Sequence, residues 1–263
     1  MTTNKGLKVL IQVDFEGMSS VVTFDETYPG HVHFERNCKL LTNEVNAAVE
    51  GALEAGATEI IVRDGHSANI SVNHEELNKA AKLVRGRRPG TPETMVICVD
   101  ESYDALLFIG AHARAGKENG VLSHTMSLKV VEVLFNEMPI SECAFNGLYA
   151  GMFGVPVVFI AGDSETQKES IETFGKDIYT TVTKEPYGRT CAICYHPEVV
   201  CSDIKSKVKE AIKNREKFSP LKLNAPYTLK LKVRENPDSD EISYIEYTSN
   251  DLYEVMKKFW SYL

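Results

Sequence analysis

Histidines and carboxylates recur in four short turns in the first half of the chain. Three of the turns directly follow runs typical of buried strands, Leu7–Val13, Glu59–Val62 and Ala105–Ile109. The turns are Val13-Asp14-Phe15-Glu16-Gly17, Arg63-Asp64-Gly65-His66-Ser67, Gly110-Ala111-His112-Ala113-Arg114 and Leu122-Ser123-His124-Thr125. In an open α/β sheet the carboxyl ends of the strands share one edge, where ligands bind, so these residues are expected to converge. Gathered aspartate, glutamate and histidine are ligands suited to Zn²⁺ or a similar divalent metal.

Asp14 and Glu16 stand two residues apart just after the first strand. Residues with this spacing point the same way in extended backbone. One carboxylate could therefore bridge two metal ions while the other binds one of them. The structural alternative is that both are ordinary turn or capping acids.

His66 and His112 each follow a further strand, and Glu142 stands at the start of a predicted helix. A single loop histidine is more often structural than functional, and an acid at a helix start can simply stabilise the helix dipole. The metal interpretation is favoured because three strand ends each supply a ligand type.

His124 lies twelve residues after His112, beyond a glycine-bearing loop. A histidine near a metal cluster, but outside it, is suited to general acid–base catalysis or to stabilising a transition state. The chain has no Gly-x-Ser-x-Gly motif, no cysteine-protease signature, no P-loop and no dinucleotide fingerprint, which disfavours those enzyme classes.

Several other residues allow both a functional and a structural interpretation. His31 and His33 could line the site, although loop histidines without a role are more common. Arg114 could hold a substrate carboxylate or pair with Asp64. Cys191 and Cys194 form a single CxxC, which suits a redox or metal pair but also two ordinary strand cysteines, and no second CxxC completes a zinc ribbon.

The order of elements predicts an α/β fold with a largely parallel sheet flanked by helices and a smaller α+β C-terminal portion. A strand, a long loop, the helix Lys39–Ala55 ended by Gly56 and the strand Thr58–Val62 form a parallel βαβ crossover. Residues 1–183 would form the α/β metal-binding portion and 184–263 the C-terminal portion, together one continuous catalytic unit. The further predicted strands are 94–99, 105–109, 129–134, 138–140, 155–161 (central, from its apolar run), 178–183 and 226–234. The further predicted helices are 74–83, 141–152, 163–174, 202–215 and 249–263.

Composition is that of a globular protein, with 43% hydrophobic and 25% charged residues among 263. The 29 basic and 37 acidic residues give a formal net charge of −8, which disfavours a nucleic-acid partner. No apolar run is long enough to span a membrane, and the first residues lack a signal-peptide pattern. We therefore predict a cytoplasmic protein with no membrane partner.

The four turns, in this order and spacing, resemble the D-aminopeptidases of the M55 metallopeptidase family. The resemblance is close from the first strand to about Asp163 and thinner beyond it. It is carried by residues 13–17, 64–67, 110–115 and 120–126 and by Glu142 with Asn146. The chain departs from the family pattern at Gln12, in the length of the 112–124 loop and at Cys143-Ala144-Phe145. All three could touch the substrate pocket, so they affect the expected specificity rather than the expected chemistry.

The resemblance implies a site with two zinc ions per chain. Asp14 would bridge them, Glu16 and His66 would complete one set of ligands, and His112 and Glu142 would complete the other. His124 would be the catalytic histidine. The family also implies homo-oligomers, as large rings such as a decamer, with an internal channel.

The implied activity is metal-assisted hydrolysis of the N-terminal amide bond of short peptides, with a D-amino acid at the N-terminus. One alternative keeps the metal site but acts on amino-acid amides or L-peptides. A second alternative is a metal-binding or ligand-binding α/β protein that catalyses no reaction. The weakest alternative is a binding module without a metal, because it leaves the pattern of metal-ligand residue types unexplained.

Overall fold

The computed structural model describes residues 6–88 and 90–263, and this part of the chain contains two principal sheets and five α-helices. The strands are β1 (Leu7–Val13), β2 (Ala57–Asp64), β3 (Ala81–Val84), β4 (Ala105–Ala111), β5 (Val130–Phe135), β6 (Met138–Pro139), β7 (Val157–Gly162), β8 (Tyr179–Val182), β9 (Lys184–Pro186), β10 (Ala192–Cys194), β11 (Tyr227–Arg234) and β12 (Ile242–Ser249). The helices are α1 (Phe34–Glu54), α2 (Glu142–Met152), α3 (Ser164–Phe174), α4 (Pro197–Lys213) and α5 (Leu252–Trp260).

The larger sheet has six parallel strands in the order β3-β2-β1-β4-β7-β8. Every residue of β4 and of β7 is buried, as expected for strands covered by helices on both faces. The predicted α/β class with a largely parallel sheet is therefore confirmed. The order places β1 and β4 at the centre, with β2 beside β1, so the carboxyl ends that carry three of the four turns are neighbours.

A second sheet is antiparallel, in the order β12-β11-β5-β6. It packs with α2 and α5 around a separate core that includes Phe135, Phe145 and Phe259. Two of its strands precede residue 184 and two follow it. The boundary at residue 184 stays a prediction. If it holds, this sheet combines strands from both portions of the chain.

Helices α1 and α4 cover one face of the larger sheet. Ala47, Ala48 and Val49 of α1 share a core cluster with Ile204 and Val208 of α4. Gly51 allows the two helices to approach closely, since a Cβ there would lie 2.5 Å from the Lys205 carbonyl oxygen. In the described part of the chain, no helix combines the length and hydropathy needed to cross a membrane.

The elements differ from the predictions in several places, of which four matter most, and α1 and α4 also each begin five residues earlier than predicted. The predicted helix 74–83 is a series of turns leading into β3, because Asn73 and Asn78 accept hydrogen bonds from backbone N–H groups two residues on. The predicted strand 94–99 is instead largely a 3₁₀ helix, Pro92–Val96, with proline in its first turn. β7 is not central but lies one position from the sheet edge. The strand β12, which was not predicted, extends to Ser249. The last helix therefore begins later than predicted, at Leu252, and is capped by Asp251.

Candidate metal centre

Backbone hydrogen bonds bind the ends of β1, β2 and β4 into one rigid platform. The Asp14 N–H donates to the carbonyl of Ile109 at 2.8 Å, and the Gly65 N–H donates to the carbonyl of Val13 at 2.8 Å. Gly17 allows close approach, because a Cβ there would lie 1.7 Å from the Ala111 carbonyl oxygen. The three strand ends thus hold Asp14, the 65–69 turn and the 110–113 segment against one another.

Asp14, Glu16 and His66 form the first group of buried ligand-type side chains. The Nδ1 atom of His66 lies 3.2 Å from Asp14 Oδ1 and 3.0 Å from Glu16 Oε2. One ligand atom from each of these residues lies within 4.8 Å of the others. Phe15 points the other way, into the core, and packs edge-on against the His66 ring.

His112, His124 and Glu142 form the second group, with ligand atoms again within 4.8 Å of one another. His112 Nε2 lies 3.4 Å from Glu142 Oε1 and 3.5 Å from Asp14 Oδ2. The two oxygens of Asp14 therefore face different histidines, and this carboxylate stands between the groups. Ser141 caps α2 through the Ala144 N–H and so fixes Glu142 at the first position of the helix.

The electrostatics show an excess of negative charge at the cluster. Burial alone would raise the pKa of Asp14, but His112 and His66 hold that pKa well below its ordinary value. Burial would lower the pKa of both histidines, yet Glu16 beside His66, Glu142 beside His112, and Asp14 raise it well above the usual value. The metal-free cluster therefore takes up protons, which is the behaviour of a site whose charge a bound cation would balance.

The chemistry of the donor atoms fits divalent metal ions. Glu16 Oε2 and His112 Nε2 are buried, and apart from their ion-pair contacts within the cluster neither atom has a hydrogen-bond partner. His112 Nδ1 lies 3.0 Å from the carbonyl oxygen of Ala113, which can only accept, so Nδ1 carries a hydrogen and Nε2 is the nitrogen that can give up its proton and bind a metal. Unsatisfied buried donor atoms of this kind are costly unless a ligand uses them. The five predicted ligands are thus brought together in a set that suits zinc.

His124 lies on the open side of the second group. Its ring stacks on that of His112, with centroids 4.0 Å apart, and its Nε2 is 3.6 Å from Glu142 Oε1. Burial, and then the positive charge of His112, lowers the pKa of His124, so the ring is neutral. Its Nδ1 lies 2.8 Å from the Leu122 carbonyl oxygen, which leaves Nε2 with a free lone pair.

The turns that carry His66 and His124 adopt strained backbone. Ser67, Asn69, Leu122 and Met126 have positive φ angles between 48° and 61°. For a residue such as leucine this conformation is unfavourable and is kept only where the surroundings enforce it. Hydrogen bonds enforce it here: the Met126 N–H donates to Glu142 Oε1 at 2.6 Å, and the His124 N–H donates to the carbonyl of Ala113 at 3.1 Å.

A cavity of about 200 Å³ opens over the two groups. It includes Asp14, Glu16, His66, His124 and Glu142 in its wall. The other lining residues are Tyr28, Gly65, Ser67, Asn69, Arg87, Met95, Met126 and Trp260. A cavity of this size suits a ligand of one or two amino acids, and its lining combines charged groups with apolar side chains.

The remaining sequence candidates do not meet at this cavity. His31 and His33 pack against each other on the surface, and Tyr28 of the same loop lines the cavity instead. Arg114 pairs with Glu169 at 3.3 Å rather than with Asp64. Gln12 and the segment 143–145 are buried outside the cavity wall. Cys191 and Cys194 are exposed free thiols beside and within β10.

Lys184 supports the site, although its position in the sequence did not predict this role. The Lys184 side chain is fully buried, and its ammonium donates to the backbone carbonyls of Glu16 at 2.6 Å, of Met18 at 2.8 Å and of Val21. Burial lowers the pKa of Lys184 to about 8. A lysine in the polar segment after β8 gives no local signal of this role, because its partners lie more than 160 residues earlier in the chain.

The comparisons with known proteins agree with this geometry. Residues 7–256 match the peptidase M55 family model, described as D-aminopeptidase. A D-aminopeptidase of Bacillus subtilis (strain 168) is 32% identical over 217 residues, which cover 82% of this chain and 77% of that protein. The chain belongs to the peptidase M55 family. The expected resemblance is thereby confirmed.

A solved structure of a D-aminopeptidase has the same fold. It is a Zn-dependent D-aminopeptidase of Bacillus subtilis, DppA, described as a self-compartmentalizing protease. The match has a TM-score of 0.89 at 27% identity and covers 97% of this chain and 96% of the other. The fold similarity thus extends through the C-terminal third, where the sequence resemblance is thin.

Proposed function

We propose that this M55 protein is a zinc-dependent aminopeptidase that binds two zinc ions per chain and removes a D-amino acid from the N-terminus of short peptides. The observation that carries the proposal is the position of Asp14. Its two carboxylate oxygens face His66 on one side and His112 on the other. A bridging carboxylate between two ligand sets is the arrangement of two-metal hydrolases.

The five ligand residues would divide between the two ions. Glu16 and His66 would hold one zinc ion, His112 and Glu142 would hold the other, and Asp14 would contact both. Bound zinc supplies Lewis-acid activation of a water molecule and of the scissile carbonyl. A bound zinc ion would also suit the lone pair of a neutral N-terminal amine, which would favour cleavage at the terminal residue rather than within a chain.

His124 is proposed to move the proton that hydrolysis requires. Its neutral ring presents the Nε2 lone pair on the side of Glu142. Nε2 would accept a proton from the attacking water and give it to the nitrogen of the leaving amine. Stabilisation of the developing oxyanion is the other role open to a histidine here, and it requires the hydrogen to be on Nε2.

The assembly and location of the protein are also proposals. A homo-oligomer, as a large ring such as a decamer, is supported by the description of the related DppA as self-compartmentalizing. A cytoplasmic location remains the expectation from the sequence alone.

The test is hydrolysis of paired D- and L-dipeptides and aminoacyl amides by the zinc-loaded enzyme, with a chelator-treated sample as the control. Chelator-sensitive release of the N-terminal residue from D-substrates supports the proposal. A preference for L-peptides or for simple amides would keep the metal chemistry and replace the substrate assignment with the amidase or L-peptidase alternative. Zinc binding without turnover of any pair would favour a binding protein.

A further inference from the structure

Arg87 brings a permanent positive charge to a cavity that is otherwise acidic. Among the described residues lining this cavity, Asp14, Glu16 and Glu142 are carboxylates and Arg87 is the only lysine or arginine. The Arg87 side chain is exposed and has no ion-pair partner within the described part of the chain. An unpaired guanidinium facing a substrate cavity is a ready partner for a carboxylate.

The backbone that carries Arg87 is fixed relative to the metal centre. The buried side chain of Arg63 donates to the carbonyl of Gly86 at 2.9 Å and to that of Val84 at 3.3 Å. The Gly86 N–H donates to the carbonyl of Asn69, and the Asn69 N–H donates to the carbonyl of His66. The residue before Arg87 is therefore tied through one short turn to a predicted metal ligand.

The wall of the cavity therefore holds two chemically distinct groups. The proposed metal centre suits the N-terminal residue and the scissile amide of a substrate, and the guanidinium of Arg87 suits an anion. A cavity of about 200 Å³ has room for only a short substrate. In a dipeptide the C-terminal carboxylate lies on the residue directly after the scissile amide, so it is the shortest peptide that offers both groups.

We infer that Arg87 binds the C-terminal carboxylate of a short substrate, so that free peptides are preferred to peptides whose C-terminus is an amide. This inference rests on the proposed aminopeptidase function. Arg87 acts here as a specificity residue, since it contacts the end of the substrate and not the scissile bond. Peptides that lack the carboxylate, such as dipeptide amides, would bind without this contact.

The neighbouring residue offers a matched control. Arg88 is also an exposed arginine, but it does not line the cavity, and its charge acts on Tyr149 and Tyr253. Arg87→Gln and Arg88→Gln remove the same charge from adjacent positions. A general electrostatic effect of the loop would appear in both variants, whereas a carboxylate contact would appear only in the first.

The test compares the D-alanine dipeptide with its C-terminal amide on the zinc-loaded full chain. We expect kcat/KM for the free dipeptide to fall about tenfold in Arg87→Gln, the low end for a charge-assisted contact at an exposed rim, with little change for the amide. Arg88→Gln should leave both unchanged. Added salt should raise KM for the dipeptide more than for the amide in the unsubstituted protein, and this difference should vanish in Arg87→Gln.

A binding measurement separates recognition from turnover. In the His124→Ala background, where hydrolysis is expected to be slow, calorimetry should show that Arg87→Gln removes the preference for dipeptide over amide. Equal losses for both substrates, or no loss for either, would overturn the inference while leaving the aminopeptidase function in place. If the unsubstituted protein cleaved neither substrate, the proposed function would fail and the inference would fall with it.

Discussion

The imidazole rings of His112 and His124 lie parallel, with centroids 4.0 Å apart and an interplanar angle of 8°. The two histidines nevertheless differ in charge, since the pKa of His112 is raised well above its usual value and that of His124 is lowered. His112 lies between two carboxylates, whereas His124 faces the cavity. This contrast supports a ligand role for the first and a proton-transfer role for the second.

Replacing His124 by alanine should therefore reduce kcat without removing zinc. We expect a loss of about 10²–10⁴-fold in kcat, the usual contribution of a general acid or base. Zinc content, measured by elemental analysis of the same samples, should remain that of the unsubstituted protein. His74→Ala, at an exposed position outside the cavity, is the control. A parallel loss of zinc and activity in His124→Ala would identify His124 as a ligand, a role that its distance of 3.6 Å from Glu142 allows.

The predicted ligands should fall into two classes when each is neutralised. Glu16→Gln should weaken only the site with His66, and Glu142→Gln only the site with His112, so each variant should retain about one zinc ion per chain. Asp14→Asn should weaken both sites, because the two oxygens of Asp14 face both histidines. Zinc stoichiometry by elemental analysis checks this pattern. Identical stoichiometry in all three variants would contradict the bridging role of Asp14.

Much of this site could be predicted from sequence because each ligand directly follows a strand or begins a helix. Residues at the carboxyl ends of β1, β2 and β4 meet through the geometry of the parallel sheet itself, which is how Asp14, His66 and His112 could be grouped. Glu142 was predicted from its helix start and was assigned to the metal only by family resemblance. The local pattern therefore predicted the candidate ligands at the strand ends, and the resemblance added Glu142 and the division of the candidates between two ions.

The rest of the cavity could not be predicted in this way. Tyr28, Arg87 and Trp260 come from two loops and the last helix, and no sequence spacing relates them to the strand ends. Lys184 is equally remote, because a buried lysine has no periodic pattern and its partners are backbone carbonyls. The turns at 74–80 were mistaken for a helix because asparagine side chains there compete for the backbone N–H groups.

Lys184→Met should loosen the segment that carries Glu16. The methionine keeps most of the length of the side chain but leaves the carbonyls of Glu16, Met18 and Val21 without their shared donor. We expect the free energy of unfolding to fall by about 1–3 kcal/mol, the cost of leaving buried polar groups unsatisfied. Zinc affinity, measured by competition with a chelator, should also fall. Lys205→Met, which removes only exposed ion pairs with Glu50 and Glu54, is the control, and equal effects in both variants would argue against this role.

Zinc affinity should rise with pH. In the metal-free fold the pKa values of His66 and His112 are raised, so protons compete with zinc for these rings at neutral pH. Each zinc site contains one of these histidines, and its apparent affinity should increase about tenfold per pH unit while that histidine is protonated. Chelator competition at a series of pH values measures this slope. A flat profile between pH 6 and 8 would mean that neither histidine gives up a proton to the metal.

The same pKa shifts predict how pH affects the stability of the metal-free protein. A histidine whose pKa is higher in the folded state stabilises the fold fully below its unfolded pKa of about 6.5, and this contribution is lost as pH rises through the folded value. The contribution of these two histidines should therefore decrease above pH 6.5 in chelator-treated samples. His66→Gln should reduce the dependence, as followed by denaturant unfolding across that range. An unchanged dependence in this variant would assign the effect to other groups.

The most direct test of the two-zinc aminopeptidase is to measure hydrolysis of a D-dipeptide while zinc is added back stepwise to the metal-free protein. The account predicts that zinc binding saturates at about two ions per chain and that full activity is reached only when both sites are filled. Saturation at one ion with full activity would contradict the two-metal site. Filling of both sites without hydrolysis of D- or L-peptides would contradict the assignment as an aminopeptidase.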